Sequence, residues 1–378
     1  MHHYQQNVAG KLAWVDGPNN PWRQVIIPLV WASPTIFYTV LSLSSEDLAR
    51  RYDDNHRQRL ELQDVSLRFR NNALSLLAAQ IGSIRANQPL QFSNEIVSEA
   101  RNALASTLIL YNVELLGAEA IKWRMHLQGA RVIHQWLEHS TSYPASFDNI
   151  DKFLLYEHYY SSVFAGLTTF GMVNAPTGDN LQNMGDIAVF GEFVRVIQLV
   201  TELERSKYVH GLVINPSEFP NIIGTVETAK DKMILYSQKS HFWNDQVQRD
   251  FQHLVFIFYH ASLIYTHRAL SEDPSTNEYI QVSRDSILDW INLLSDRSTF
   301  AHDLVWPLFI LGTESKGRPE LQNFVSREME AVMKISGVLD RRKVLSFLQL
   351  YWSTDLQHSV TWIQFMREKV PENSMLIL

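Results

Sequence analysis

Three histidines, His253, His260 and His267, recur at seven-residue intervals within the apolar stretch Phe251 to Leu270. On a helix such residues lie near one face and drift by about 20° per heptad. A shared metal ion wants ligands one turn apart, as in i, i+4 pairs. Seven residues span roughly 10 Å of rise, too far for two imidazoles to meet one ion. The spacing therefore points to hydrogen-bonded histidines of a core or pocket, with no metal site. A second constellation is Glu114, which follows the apolar run Thr107 to Tyr111, together with Lys122 and His126. A carboxylate there must be paired, protonated or at a helix end. If His126 reached Glu114 the two could exchange a proton, with His260 as a further candidate base; the plainer alternative is an ion pair that locks two helices. Gly129, three residues on, lowers helix propensity and suggests that another backbone passes close by.

Established catalytic signatures are missing. The chain has no Gly-rich phosphate loop, no G-x-S-x-G turn and no H-E-x-x-H pair. Gly312 to Gly317 lacks the lysine–hydroxyl ending of a P-loop. There is no cysteine, which excludes disulfides, thiolate metal sites and a thiol nucleophile. The acids at Glu46-Asp47, Asp53-Asp54 and Asp179 read as loop or solvated-face residues, and no cofactor is implied. Lys and Arg total 33 against 40 for Asp and Glu, a net charge of -7. Nucleic-acid binding needs clustered cations, and the densest basic stretch is Arg341-Arg342-Lys343, so no direct nucleic-acid contact is expected. No signal peptide is visible. Two uncharged stretches, Gln24 to Ser45 and Phe251 to His267, read as buried helices and not membrane spans, because one holds Pro28 and Pro34 and the other is short.

The elements that must carry these residues are helical. With 46% hydrophobic and 19% charged residues the chain is long enough to bury a large core, and its apolar residues recur at helical spacing. Ser33-Pro34 predicts a helix start with Ser33 as N-cap. A long amphipathic helix is expected over His56 to Ile84, with Leu60, Leu67, Leu74, Leu77 and Ile81 along its buried side. Further helices are expected over Ser93 to Glu114 and Ala118 to His139, and another from Ser275-Thr276-Asn277-Glu278, which has capping-box form. Breaks fall at Ser142 to Pro144, Asn174 to Asn180 and Asn215 to Pro220. Phe251 to Leu270 is apolar nearly all round, so neighbours must enclose it as the central helix. The expected architecture is all-α, a single large multi-helix bundle of packed antiparallel helices over residues 19–370, with a flexible arm at 1–18 and a tail at 371–378.

Several segments, in order, resemble the fungal-specific transcription factor domain, the C-terminal regulatory domain of fungal zinc-cluster transcription factors. They are Asn20-Pro21-Trp22-Arg23 through Leu29, Ser33-Pro34 and Leu41 to Ser44; Glu114, then Trp123, His126-Leu127 and Gly129-Ala130; and Tyr160 to Thr169. Tyr259, Ala261, Ile264-Tyr265 and Arg268 follow, then Trp306 to Phe309, Gly312, Glu314 and Trp352. The similarity covers about residues 19–353. It implies a regulatory all-α domain that in some members binds a small apolar effector such as a sterol, works in the nucleus and self-associates. Two departures stand out: the six cysteines of that family's DNA-binding module are missing, and Asp47 stands where an apolar residue or histidine is common.

The functional expectation is thus a cavity for a small apolar molecule among the central helices, lined by Trp123, His126, Tyr259, His260, His267, Trp306 and Phe309, since ligand pockets are mainly aromatic with a few polar groups. The chain would act in transcriptional regulation in the nucleus or cytoplasm, with a homodimer or a partner transcription factor. The alternative is a homologue recruited as a cofactor-independent cyclase or isomerase, using His126, His260 and Glu114.

Overall fold

A computed structural model describes the chain except residues 54–55, 88–93, 118–121, 139–147, 171–188, 212–214, 216, 272, 274, 356–359, 370–374 and 378. A π-helical turn, Tyr4–Val8, runs into α1 (Ala9–Leu12). There follow α2 (Pro21–Gln24), α3 (Ile26–Ala32), α4 (Pro34–Ala49), α5 (Arg57–Asn87), α6 (Asn94–Leu115), α7 (Trp123–Glu138) and α8 (Asn149–Gly166). The remainder comprises α9 (Gly191–His210), α10 (Phe219–Lys239), α11 (Asp245–Leu270), α12 (Thr276–Leu293), α13 (Val305–Thr313), α14 (Pro319–Ser336), α15 (Arg341–Ser353) and α16 (Trp362–Lys369). Among the described residues there is no strand, and the molecule is an all-α bundle. No helix among them is long and apolar enough to cross a membrane.

Local chemistry sets many helix starts. The Ser33 hydroxyl accepts from the Ile36 N–H and Pro34 occupies the first position of α4, as the sequence predicts. Asp148 and Asp151 form a reciprocal capping box at α8, and Arg101 of α6 grips Asp151 with two hydrogen bonds of 2.8 and 2.6 Å. At α12 the helix starts where expected but the capping box does not form. Ser275 makes no side-chain cap; Asp273 instead accepts from the Ser275 N–H at 2.9 Å. The breaks expected at Ser142 to Pro144 and Asn174 to Asn180 lie outside the described residues.

The long helix α5 buries only part of the expected stripe, Leu77 with Ile81 partly buried beside the core, and adds small residues to it. Leu60, Leu67 and Leu74 are 58%, 48% and 37% exposed, whereas Ser66, Ala73, Leu77 and Ile84 face inward. Small residues explain the choice. Ser66 and Ser42 of α4 exchange hydrogen bonds to one another's carbonyls at 3.0 and 2.9 Å, so the two backbones approach closely along a polar, narrow seam.

Nor is the start of the chain a loose arm. Tyr4, Val8, Ala9 and Trp14 are buried. The Tyr4 hydroxyl donates to the Trp22 carbonyl at 3.1 Å, and Asn20 donates to the Ala9 carbonyl at 3.0 Å. Asp47, read as a solvated acid, is buried and receives His3 Nε2 at 2.9 Å and Lys11 Nζ at 2.5 Å. The tail is held as well: Met375, Leu376 and Ile377 are buried, and Thr168 donates to the Met375 carbonyl. Both ends supply apolar side chains that the bundle needs to close its surface, which is why they pack.

Helix α11 is central, touching α9, α10, α12 and α13. Its Phe251, Phe258 and Tyr265 belong to a continuous mass of rings. Trp14 stacks on Phe190 at 4.9 Å, Phe190 meets Phe258 at 4.6 Å, and Phe258 meets Trp306 at 5.4 Å. Tyr160 and Phe164 close the group against Trp14 and Trp306. Offset and edge contacts of this kind fill the interior at close-packed density.

Candidate functional site

The acid–base candidates resolve into one ion pair and one separate histidine. Glu114 of α6 meets Arg70 of α5 at 3.0 Å and His126 of α7 at 3.8 Å. Burial pushes the Glu114 carboxyl up, but the neighbouring His126 and the charge of Arg70 outweigh it and hold the pKa below the ordinary value. Glu114 is therefore an ionised tie between three helices. His260 stands on α11 beside Tyr259, its pKa lowered to about 4 by burial and by Lys230. Tyr259 itself carries Lys230 over its ring and faces Glu227 of α10.

The aromatic candidates do not converge on a single cavity. Trp123 packs on Tyr111, Trp306 on Phe258 and Tyr265, and Phe309 on Phe347 and Trp362; all three are buried. Each of these rings packs on other rings of the core instead. Gly129 also lacks the close backbone neighbour expected of it: an added Cβ would meet only the Thr107 methyl at 3.8 Å. His253 leans on Trp290 at 5.4 Å, and no group of three metal-capable side chains occurs among the described residues.

His267 is the candidate that reaches a cleft. Two adjoining depressions meet at the C-terminal end of α11. The first, of about 440 Å³, includes Arg268, Arg284, Glu314, Lys316, Arg318 and Tyr351 in its lining. The second, of about 710 Å³, includes Tyr208, His267, Arg268 and Arg367. Arg268, Asn277 and Thr361 border both, so Arg268 forms a ridge between two lobes. Sequence reading gave Arg268 and Glu314 only a place in a motif. Arg284, Lys316, Arg318 and Arg367 had no signal, because three segments distant in the chain, α12, the α13–α14 connection and α16, bring them to the cleft.

The ridge is fixed. Arg268 Nε and Nη2 donate to the two Glu314 oxygens at 2.8 and 2.7 Å, the bidentate geometry that guanidinium and carboxylate favour. These hydrogen bonds raise the Arg268 pKa against the opposing effect of burial. Glu314 is placed by the turn after α13, where the Gly312 carbonyl accepts from Trp352 Nε1 at 2.8 Å. Gly312 leaves room there for Leu348: a Cβ would fall 2.6 Å from its Cδ1 and force that side chain to shift. Arg268, Gly312, Glu314 and Trp352 are thus one hydrogen-bonded post. In the second lobe Arg367 pairs with both Glu204 oxygens at 2.9 Å and lies 3.8 Å over Tyr208. His267 stacks on Tyr279 at 5.8 Å, its pKa lowered by burial and by Arg268.

In the first lobe the cations are less committed. Lys316 donates to the Thr354 carbonyl at 2.6 Å and lies over Tyr351, with burial lowering its pKa against the pull of Asp355. Arg284 is only 7% exposed, and its acidic partner is its own neighbour Asp285 at 2.8 Å.

Compared with curated proteins and with solved structures, the chain matches none. The family model of the fungal specific transcription factor domain matches residues 1–376, which includes the packed N-terminal segment and every residue of the cleft described above. Match length, helical architecture and the post that ties α11 to α13 and α15 agree: the chain belongs to the fungal specific transcription factor domain family, and its role is regulatory.

Proposed function

We propose that this chain is the part of a transcription regulator that senses a small molecule, and that the two-lobed cleft around Arg268 is where the molecule binds. The observation that carries this reading is the cleft's construction. Its walls are the ends of α11, α12, α15 and α16 and the α13–α14 connection, all meeting at one rigid ion pair. A molecule that bridges the walls favours the arrangement of helix ends it fits best. It shifts the regulator only by its differential affinity for two such arrangements. The apolar guest expected from sequence finds no support in the interior, where Trp14, Phe190, Phe258 and Trp306 occupy the space. The family supports regulation in the nucleus, and the net charge of -7 and the lack of cysteine fit a chain that makes no direct DNA contact itself.

Melting of the purified chain across a library of metabolites tests the reading, because a ligand of the folded state raises Tm by mass action. Gln281 is exposed on the first lobe, so Gln281→Trp fills the cleft without altering its charge. A compound should raise Tm in the parent chain and lose most of its effect in Gln281→Trp. A library without effect, or effects indifferent to that substitution, would remove the proposal.

A further inference from the structure

We infer that the first lobe takes an oxyacid anion, a carboxylate or phosphate group of a small molecule, held by Arg284, Lys316 and Arg318. This rests on the reading of the cleft as an effector site and adds the chemical class of the effector.

Charge is the first argument. Arg268, Arg284, Lys316 and Arg318 line the lobe against two acids, Glu314 and Asp355, in a chain whose net charge is -7. Arg268 and Glu314 neutralise each other. Arg318 has no acidic partner among the described residues. Among the described residues Arg284 is paired only through Asp285, whose side chain is 62% exposed. A nearly buried guanidinium with so poor a partner gains more from an incoming anion than an exposed one would, because burial weakens the competition from water. A neutral occupant would cover these donors without offering them a charged acceptor.

Placement supplies the second argument. The carbonyl ends that reach the lobe are already satisfied: Gly312 at the end of α13 by Trp352, and Thr354 after α15 by Lys316. The amide end of α14 is not. Arg318 is its N-cap and makes no side-chain cap, Pro319 follows, and Gly317 at φ +73° turns the chain into the helix from the floor of the lobe. Its first residues, Pro319, Glu320 and Leu321, line a neighbouring depression that shares Arg284 and Arg318 with the lobe, so the start of α14 lies beside the lobe and only Gly317 and Arg318 border it. Arg318, without an acidic partner among the described residues, Arg284, whose partner is exposed, and Lys316, bonded only to a neutral carbonyl and a ring, converge on one volume of about 440 Å³, large enough for an acid group and part of the molecule carrying it. The second lobe, across Arg268, offers Tyr208, His267 and Gln364 to the remainder.

Calorimetric titration of the full chain with inorganic phosphate and with citrate tests the inference, with ionic strength held constant by sodium chloride. Saturable binding of at least one probe is expected, weakened tenfold or more in Arg318→Ala. Arg318 is exposed, so that variant keeps its fold; an unchanged Tm in chloride verifies this. Arg284→Gln serves as a second variant, read only after the same check. Binding of phosphate alone assigns the group as phosphate, and binding of citrate alone assigns it as carboxylate. Failure of both probes to saturate, or equal affinity in parent and Arg318→Ala, overturns the inference. A neutral compound whose effect is lost in Gln281→Trp yet kept in Arg318→Ala overturns the anion alone and leaves the effector cleft standing.

Discussion

At the scale of single residues, Arg268 and Glu314 are the pair on which the cleft depends. The Glu314 side chain is 9% exposed and that of Arg268 is 31% exposed. Breaking a fully buried pair by removing one partner costs about 3–5 kcal/mol, because a charge is left behind without compensation. With Arg268 partly in water the screened value is lower, and Arg268→Met is expected to cost about 2 kcal/mol. The double substitution Arg268→Met with Glu314→Leu should recover most of that loss, since no orphaned charge remains. Urea unfolding of the four chains of this cycle measures the coupling, and strict additivity would show that the pair contributes nothing as a unit. Asp47 illustrates the converse lesson. It is an acid whose type suggested a solvated loop, yet it anchors the first turn of the chain through His3 and Lys11. Only its partners, 44 and 36 residues away, reveal the role.

Among helices, close approach is bought with small residues, and here sequence reading divides cleanly. The helical class, the central α11 and the Ser33 cap were legible because periodicity and capping are local properties. The buried stripe of α5 was only partly so. Leucines at seven-residue intervals have the pattern of a core face, but Ser66 meets Ser42 of α4, Ala73 and Leu77 are buried, and Leu60, Leu67 and Leu74 remain outside. The cleft was still less legible, since Arg268, Arg284, Lys316 and Trp362 meet across gaps that no spacing rule links. Gly312 is the sharpest case at this scale. It lies where α13 and α15 cross, and an added methyl would sit 2.6 Å from the Cδ1 of Leu348, a side chain that is itself fully buried. Overpacking of this kind costs about 1–3 kcal/mol, so Gly312→Ala should lower Tm and loosen the Trp352 hydrogen bond. Tryptophan fluorescence together with a melting curve reads both. An unchanged Tm would mean that the Leu348 side chain turns aside at no cost, contrary to the packing described.

For the whole molecule, a closed aromatic interior beneath a polar, cationic cleft implies a particular response to acid. His158 on α8 is fully buried, with its Nδ1 3.0 Å from Nδ1 of His134 on α7. Burial first, and the neighbouring His134 and Arg131 second, lower its pKa to about 3. The folded chain therefore keeps His158 neutral through a range in which the unfolded chain, with a histidine pKa near 6.5, takes up a proton. Unfolded chains bind more protons than folded ones between those two values, so stability must fall as pH drops below about 6.5 and stop falling on this account only near 3. His260, lowered to about 4, contributes in the same direction. Asp303 opposes both: burial holds its carboxyl well above the ordinary range, so the folded state carries the extra proton there. The parent chain's own pH slope thus mixes opposite signs, and a comparison isolates the histidine. Between pH 7 and pH 5 the parent should lose about 2 kcal/mol more stability than His158→Gln, the work of withholding one proton across that interval. Denaturant unfolding of both chains at the two pH values provides the measurement. Parallel slopes would mean that His158 is protonated inside the folded bundle, and that the interior between α7 and α8 is wet where the packing shows it closed.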